Sequence, residues 1–160
     1  MGSPRHFLWE NKAENRYQAV LLRQVDGIAA LVESTEMMLA DMGCNAADAQ
    51  QMAIVAEEIL TNISRHAWPE GEDKEFSAFL DIERLPAGIN VRFSTCDDGI
   101  AYDPLARSAP DIDASLEDRE IGGLGIHMVK NFTDSQNYER RGAENHFAVS
   151  KLCKVTGAEL

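Results

Sequence analysis

Residues 76–85 and 89–96 each carry strand character, and only the turn signal Pro86-Ala87-Gly88 separates them. Two strands joined by so short a turn must pair antiparallel, because a parallel pair needs a long crossover. The arrangement returns near the end of the sequence, where residues 135–141 and 145–153 read as a hairpin around Gly142. Helical periodicity falls elsewhere. Over residues 26–42, Ile28, Leu31, Val32, Met38 and Leu39 recur at helical spacing, with Asp26 as the expected N-cap and Gly43 as the stop. A second helix is expected over 47–66, ended by Pro69 and Gly71, and a short third one over 124–132. Residues 16–22 read as a first strand. Strand pairs without intervening helices give an α+β fold, with a helix layer on one face of a mixed, mostly antiparallel sheet.

The 160 residues make one domain, expected over 15–155 after a loose, polar stretch at 1–14. A chain of this length buries enough surface to need no disulfides. Acidic residues number 27 against 15 basic ones, for a net charge of −12. That balance argues against a nucleic-acid surface, which demands clustered Lys and Arg, and against an anionic membrane surface. A small anionic ligand is still allowed, held by backbone N–H groups and a divalent metal. Cys44, Cys96 and Cys153 match no zinc or redox spacing and are expected to be isolated, reduced thiols. With no apolar run of membrane-spanning length and no apolar segment near Met1, the expected location is the cytoplasm.

The second helix carries an unusual stripe. Met52, Val55, Ala56, Ile59 and Ile63 form its apolar face, and Glu58, Asn62 and His66, four residues apart, drift into that face. Polar groups on a buried face need partners. Either neighbouring backbone satisfies them, or they line a pocket in which a carboxylate can serve as base and an amide oxygen as a hard ligand for Mg²⁺.

Two further segments bear on that choice. The strand at 89–96 runs into Asp97-Asp98-Gly99-Ile100-Ala101, placing a carboxylate and a glycine where a cavity could open. A carboxylate accepts hydrogen bonds, as an exocyclic amine requires, and glycine permits close approach to the backbone. Further on, Gly122-Gly123-Leu124-Gly125-Ile126 opens the third helix, where unshielded N–H groups favour an anion. This is neither a dinucleotide-binding G-x-G-x-x-G nor a P-loop.

Taken in order, the three segments resemble the motifs of the GHKL ATPases, the superfamily of gyrase, MutL and the sensor histidine kinases. Glu58 through Ala67 resembles the N box, Asp97-Asp98-Gly99-Ile100-Ala101 the first glycine box, and Gly123-Leu124-Gly125-Ile126 the second. Glu58 before Asn62, His66-Ala67-Trp68, Tyr102-Asp103-Pro104, and the stretch from Gly142 to Lys151 with Asn145 are similar to the bacterial anti-sigma-factor serine/threonine kinases. The resemblance implies a Bergerat-type ATP-binding fold with a mobile lid at about 103–121. It implies Glu58 as the base that activates the target hydroxyl, and Asn62 as the Mg²⁺ ligand. Asp97 would accept from the adenine amine, with Gly99 and Ala101 beside it. Gly123, Leu124, Gly125 and Ile126 would offer backbone to the phosphates of ATP, and His66 would line the pocket or support the N box. The implied activity is ATP-dependent phosphorylation of a STAS-domain anti-sigma-factor antagonist, with a sigma factor as a further partner and a homodimer as the assembly.

The sequence departs from the pattern in two places. Ala101 stands where the first glycine box has its second glycine, and a positive φ there would strain it. The lid, residues 103–120, holds six acidic and two basic residues, and Arg119 is its candidate for a phosphate contact. These departures motivate a second reading, a regulatory binding module that uses ATP only as a switch or not at all. The stretch before Glu58 is too short for the dimerisation helices of a sensor histidine kinase, so that branch is not the expectation.

Overall fold

The computed structural model describes residues 9–23, 25–71, 74–106 and 123–157. The described elements, in chain order, are β1 (Glu10–Ala13), β2 (Arg16–Leu22), α1 (Val25–Asp41), α2 (Ala46–His66), β3 (Glu75–Leu85), β4 (Gly88–Asp97), α3 (Gly123–Phe132), β5 (Ser135–Arg141) and β6 (Glu144–Cys153), with one 3₁₀ turn at Pro104–Ala106. The helices pack on one face of a six-stranded sheet ordered β1-β2-β3-β4-β6-β5. The α+β architecture is the expected one.

Every pairing among the described strands is antiparallel, so the expected mixed, mostly antiparallel sheet is corrected to an antiparallel one. The physical reason lies in β6. β4 and β5 flank it, and each runs antiparallel to it, so they run parallel to each other without touching. The crossover containing α3 joins these two strands, and the hairpin return fills the gap between them.

The loose segment 1–14 is corrected in part: residues 1–8 lie outside the described residues, but Glu10–Ala13 is a strand paired with β2. All four of its side chains are exposed, so it shows none of the alternation that betrays a half-buried strand. Its anchor is Trp9, which is buried, with the indole N–H donating to Thr35 Oγ1 at 3.0 Å. The turn at Glu14 and Asn15 suits a tight hairpin, since Asn15 has φ of 62° and asparagine tolerates the left-handed region.

Helix α1 begins at Val25, which puts Asp26 inside the first turn and not at the cap. Gly43 ends this region as expected, with φ of 109°, a conformation that favours glycine. Asn45 caps α2, its side-chain oxygen accepting from the Asp48 N–H at 2.8 Å. At the other end, the Arg23 guanidinium donates to the carbonyls of Ser64, in the last turn of α2, and of Trp68, just beyond it, each at 3.1 Å, which sets a cation at the C-terminal end of the helix.

The core follows from the alternation of β3, β4 and β6. Leu80, Val91, Phe93 and Val149 turn toward the helices and meet Leu31, Leu39, Met52, Val55, Leu60 and Val129, all fully buried. Each contributes about 1.5–3 kcal/mol. Cys44, Cys96 and Cys153 are free thiols, as expected, with Cys44 and Cys153 buried. The thiols of these two act on each other, which lowers the Cys44 pKa and raises that of Cys153. No described helix is long and apolar enough to cross a membrane.

Candidate functional site

The last residue of β4, Asp97, points to the helix side of the sheet and is buried. Its Oδ1 accepts from the Gly99 N–H at 2.9 Å and from Asn145 Nδ2 at 2.9 Å. Asn145 faces it directly across the β4–β6 ladder. Burial raises the Asp97 pKa above its ordinary value, while the bonds from Asn145 and Gly99 pull the other way.

Asn145 does more than hold Asp97. Its amide N–H group also donates to the Ile100 carbonyl at 2.7 Å. Its oxygen accepts from the Tyr138 hydroxyl, from an Arg140 guanidinium N–H at 3.1 Å and from the Tyr102 N–H at 3.4 Å. Arg140 donates in addition to the Gly99 carbonyl at 2.8 Å. The loop after β4 is therefore pinned by two side chains from the closing hairpin. The sequence reading gave neither of them a role: Asn145 entered only through a resemblance, and Arg140 binds carbonyl and amide oxygens that leave no sequence signature.

The C-terminal end of α2 presses on the same loop. The Ile100 N–H donates to the Ala67 carbonyl at 2.8 Å, and the Trp68 indole donates to Asp98 at 2.9 Å. Gly99 lies against Ala67 so closely that a side chain would collide with its carbonyl oxygen and methyl. The group that approaches Gly99 is thus the protein itself. Ala101 is exposed and has no positive φ, since Asn15 is the only described non-glycine residue with one. The strain expected at Ala101 is absent.

A cavity opens between α2, the end of β4 and this loop. Asn62, His66, Asp97, Ile100, Tyr102, Tyr138 and Asn145 line it, with Ile126 from α3. The His66 ring stacks on Tyr102, with centroids 5.4 Å apart and planes 19° from parallel. Of the polar stripe, Asn62 is the most buried, 7% exposed, and its Oδ1 has no hydrogen-bond partner among the described residues. An orphaned buried amide oxygen is the feature a hard divalent cation requires, so the residues present fit Mg²⁺.

Glu58, one turn before Asn62, is half-buried, and its carboxyl group rests against Gly125 of α3 where a Cβ would otherwise lie. Burial raises its pKa, while nearby Arg65 lowers it and Glu57 raises it. Gly123 and Leu124 form the first turn of α3, ahead of buried Gly125 and Ile126. Arg119 and nearly all of the lid lie outside the described residues.

Residues 21–151 match the family model of the histidine kinase-like ATPase domain. The serine/threonine-protein kinase BtrW of Bordetella bronchiseptica is 29% identical over 99 residues, which are 62% of this chain and 67% of that protein. A crystal structure of the RsbU and RsbW domains of a Mycobacterium tuberculosis protein superposes over 86% of this chain with a TM-score of 0.58 at 13% identity, and the match spans 32% of that longer chain. The structural likeness speaks for a shared fold. The family match covers β4 and most of β6, the strands that hold the Asp97–Asn145 pair, and the whole of α2 and α3, and by it the chain belongs to the histidine kinase-like ATPase domain family.

Proposed function

We propose that this protein is an ATP-dependent serine/threonine kinase that acts as an anti-sigma factor by phosphorylating a STAS-type anti-sigma-factor antagonist. The observation that carries the reading is the meeting, in one cavity, of the buried Asp97 carboxylate with the unpartnered Asn62 amide oxygen. A carboxylate held by Asn145 and Gly99 keeps acceptor capacity for the exocyclic amine of adenine. The Asn62 oxygen would hold Mg²⁺ one helical turn from the Glu58 carboxyl group. Gly123, Leu124, Gly125 and Ile126 would offer N–H groups of the α3 N-terminus to phosphates. Bound Mg²⁺-ATP supplies the transferable phosphoryl group. Glu58 would take the proton from the substrate hydroxyl as that oxygen attacks, and His66, stacked on Tyr102, would form part of the pocket wall.

The relative BtrW, a serine/threonine-protein kinase by name, supports the kinase over a bare ATPase. The absence of strain at Ala101 removes one of the two motives for a nucleotide-free binding module. Calorimetric titration of ATP and ADP, with and without Mg²⁺, tests the site first. Saturable binding that Mg²⁺ strengthens, followed by a phosphorylated serine or threonine on a STAS-domain partner by mass spectrometry, is the expected result. Nucleotide binding with partner binding but no phosphotransfer would establish the regulatory module instead, and no nucleotide binding would reject both the kinase and the switch.

A further inference from the structure

One cluster of chemistry-bearing side chains lies apart from the cavity. Strand alternation sends Asp97 and Asn145 to the helix side of the sheet, so the preceding cross-strand pair, Cys96 and His146, faces the other way. Glu144, two residues before His146, shares that face. Cys96 Sγ lies 3.7 Å from His146 Nε2, and the same nitrogen lies 3.3 Å from Glu144 Oε1. All three donor atoms fall within 4.8 Å of one another. A tetrahedral zinc ion with a bond to sulfur of about 2.3 Å and bonds to nitrogen and oxygen of about 2.0–2.1 Å has an S···N edge of about 3.6 Å and an N···O edge of about 3.3 Å.

We propose that Cys96, Glu144 and His146 form a zinc-class divalent metal site on the sheet face turned away from the helices, back to back with the Asp97–Asn145 pair. The donor set is thiolate, imidazole and carboxylate, which suits a borderline-soft cation and not Mg²⁺ or Ca²⁺. Ligation replaces the Cys96 S–H bond with an S–metal bond, and the proton leaves to solvent. His146 turns its Nε2 lone pair to the metal and keeps its proton on Nδ1. Three protein ligands leave the fourth position to water. Glu139 lies opposite His146 on β5, and its carboxylate neutralises neighbouring Arg141 at 2.9 Å, so that guanidinium does not face the metal as an unopposed charge. Because the ligands come from two strands, the ion would clamp β4 to β6 one register step from the residues that hold the nucleotide loop.

Co²⁺ titration of the full chain, without nucleotide or Mg²⁺, tests the site. The wild type is expected to bind one equivalent with a thiolate-to-cobalt charge-transfer band in the near ultraviolet. Cys96→Ser and His146→Gln, each folded by circular dichroism, are expected to lose it, and saturating Zn²⁺ should raise the thermal midpoint of the wild type alone. If Cys96→Ser does not fold, His146→Gln decides. The absence of a band in the wild type, or its persistence in either folded variant, would overturn the proposal; persistence in Cys96→Ser would place the metal at Cys44 and Cys153.

Discussion

The side chains of Asp97 and Asn145 meet at 2.9 Å across the β4–β6 ladder, and the same Asn145 amide grips the loop that follows Asp97. One residue therefore fixes both the candidate base-reading carboxylate and the wall of its cavity. Removing it should be costlier than removing the carboxylate's charge. Asn145→Ala takes the side-chain donor from the Ile100 carbonyl and leaves Asp97 Oδ1 with the Gly99 N–H alone, for an expected loss of about 1–3 kcal/mol in chemical denaturation.

Asp97→Asn is expected to separate stability from binding. The new amide oxygen can still accept from Gly99 and Asn145, but an N–H group replaces the second acceptor. ATP affinity should fall by the worth of a hydrogen bond to a charged group, about 1.5–3 kcal/mol or roughly tenfold to hundredfold in Kd. Stability should rise at neutral pH. The folded-state pKa of Asp97 lies above the ordinary 3.8, so the charged form is the one that folding disfavours. Its contribution to stability is fully present below 3.8 and is lost as pH rises through the folded value. The advantage of Asp97→Asn over wild type should accordingly shrink as pH falls toward 3.8 in paired denaturation curves.

Asn62→Ala addresses the metal. Its Oδ1 has no partner among the described residues, so truncation there forfeits no hydrogen bond that they make to that oxygen. The wild type should bind ATP more tightly with Mg²⁺ than without, and the variant should bind equally in both, with metal affinity down by at least the roughly tenfold that even an outer partner is worth. An undiminished Mg²⁺ effect in calorimetry would remove Asn62 from the metal site.

How much of this was legible in the sequence follows from the range of each interaction. Helix periodicity and the two hairpins are local patterns, and α2, β3 and β5 begin within one residue of where those patterns put them. Glu58, Asn62 and His66 could be placed together because they repeat along one helix. β1 left no trace because Glu10, Asn11, Lys12 and Ala13 are all exposed. The roles of Gly99 and Ala101 depend on what lies against them, and only the docking of Ala67 shows that the first is a packing glycine. Arg140 acts on the Gly99 carbonyl 41 residues away, a pairing set by sheet register alone.

Glu58→Gln isolates the base. The amide fills the same space beside Gly125 but cannot take a proton. Phosphotransfer to the partner should fall by about 10²–10⁴-fold while ATP affinity holds. In the wild type, burial keeps the Glu58 pKa above the ordinary 4.5, so the acidic limb of the kcat/KM profile should have its midpoint above that value. Activity falls as pH drops through it, because only the ionised carboxylate accepts the hydroxyl proton. A profile with the same limb in Glu58→Gln would assign the titration to another group.

Gly99 and Ala101, two residues apart in the same loop, are expected to respond oppositely to exchange. Gly99→Ala drives a methyl into the Ala67 carbonyl, which is backbone at the end of a packed helix and cannot swing aside. Overpacking of this kind costs about 1–3 kcal/mol, and the loop that carries Ile100 and Tyr102 should shift with it, weakening nucleotide binding as well. Ala101→Gly restores the residue that the glycine-box pattern leads one to expect, yet it relieves nothing, because Ala101 sits in an ordinary backbone conformation and is exposed. Its effect should come from the unfolded chain, a loss of about 0.4–1 kcal/mol with ATP affinity unchanged. Thermal denaturation and calorimetry of the two variants side by side check this, and a gain in ATP affinity for Ala101→Gly would show that the alanine does restrict the site.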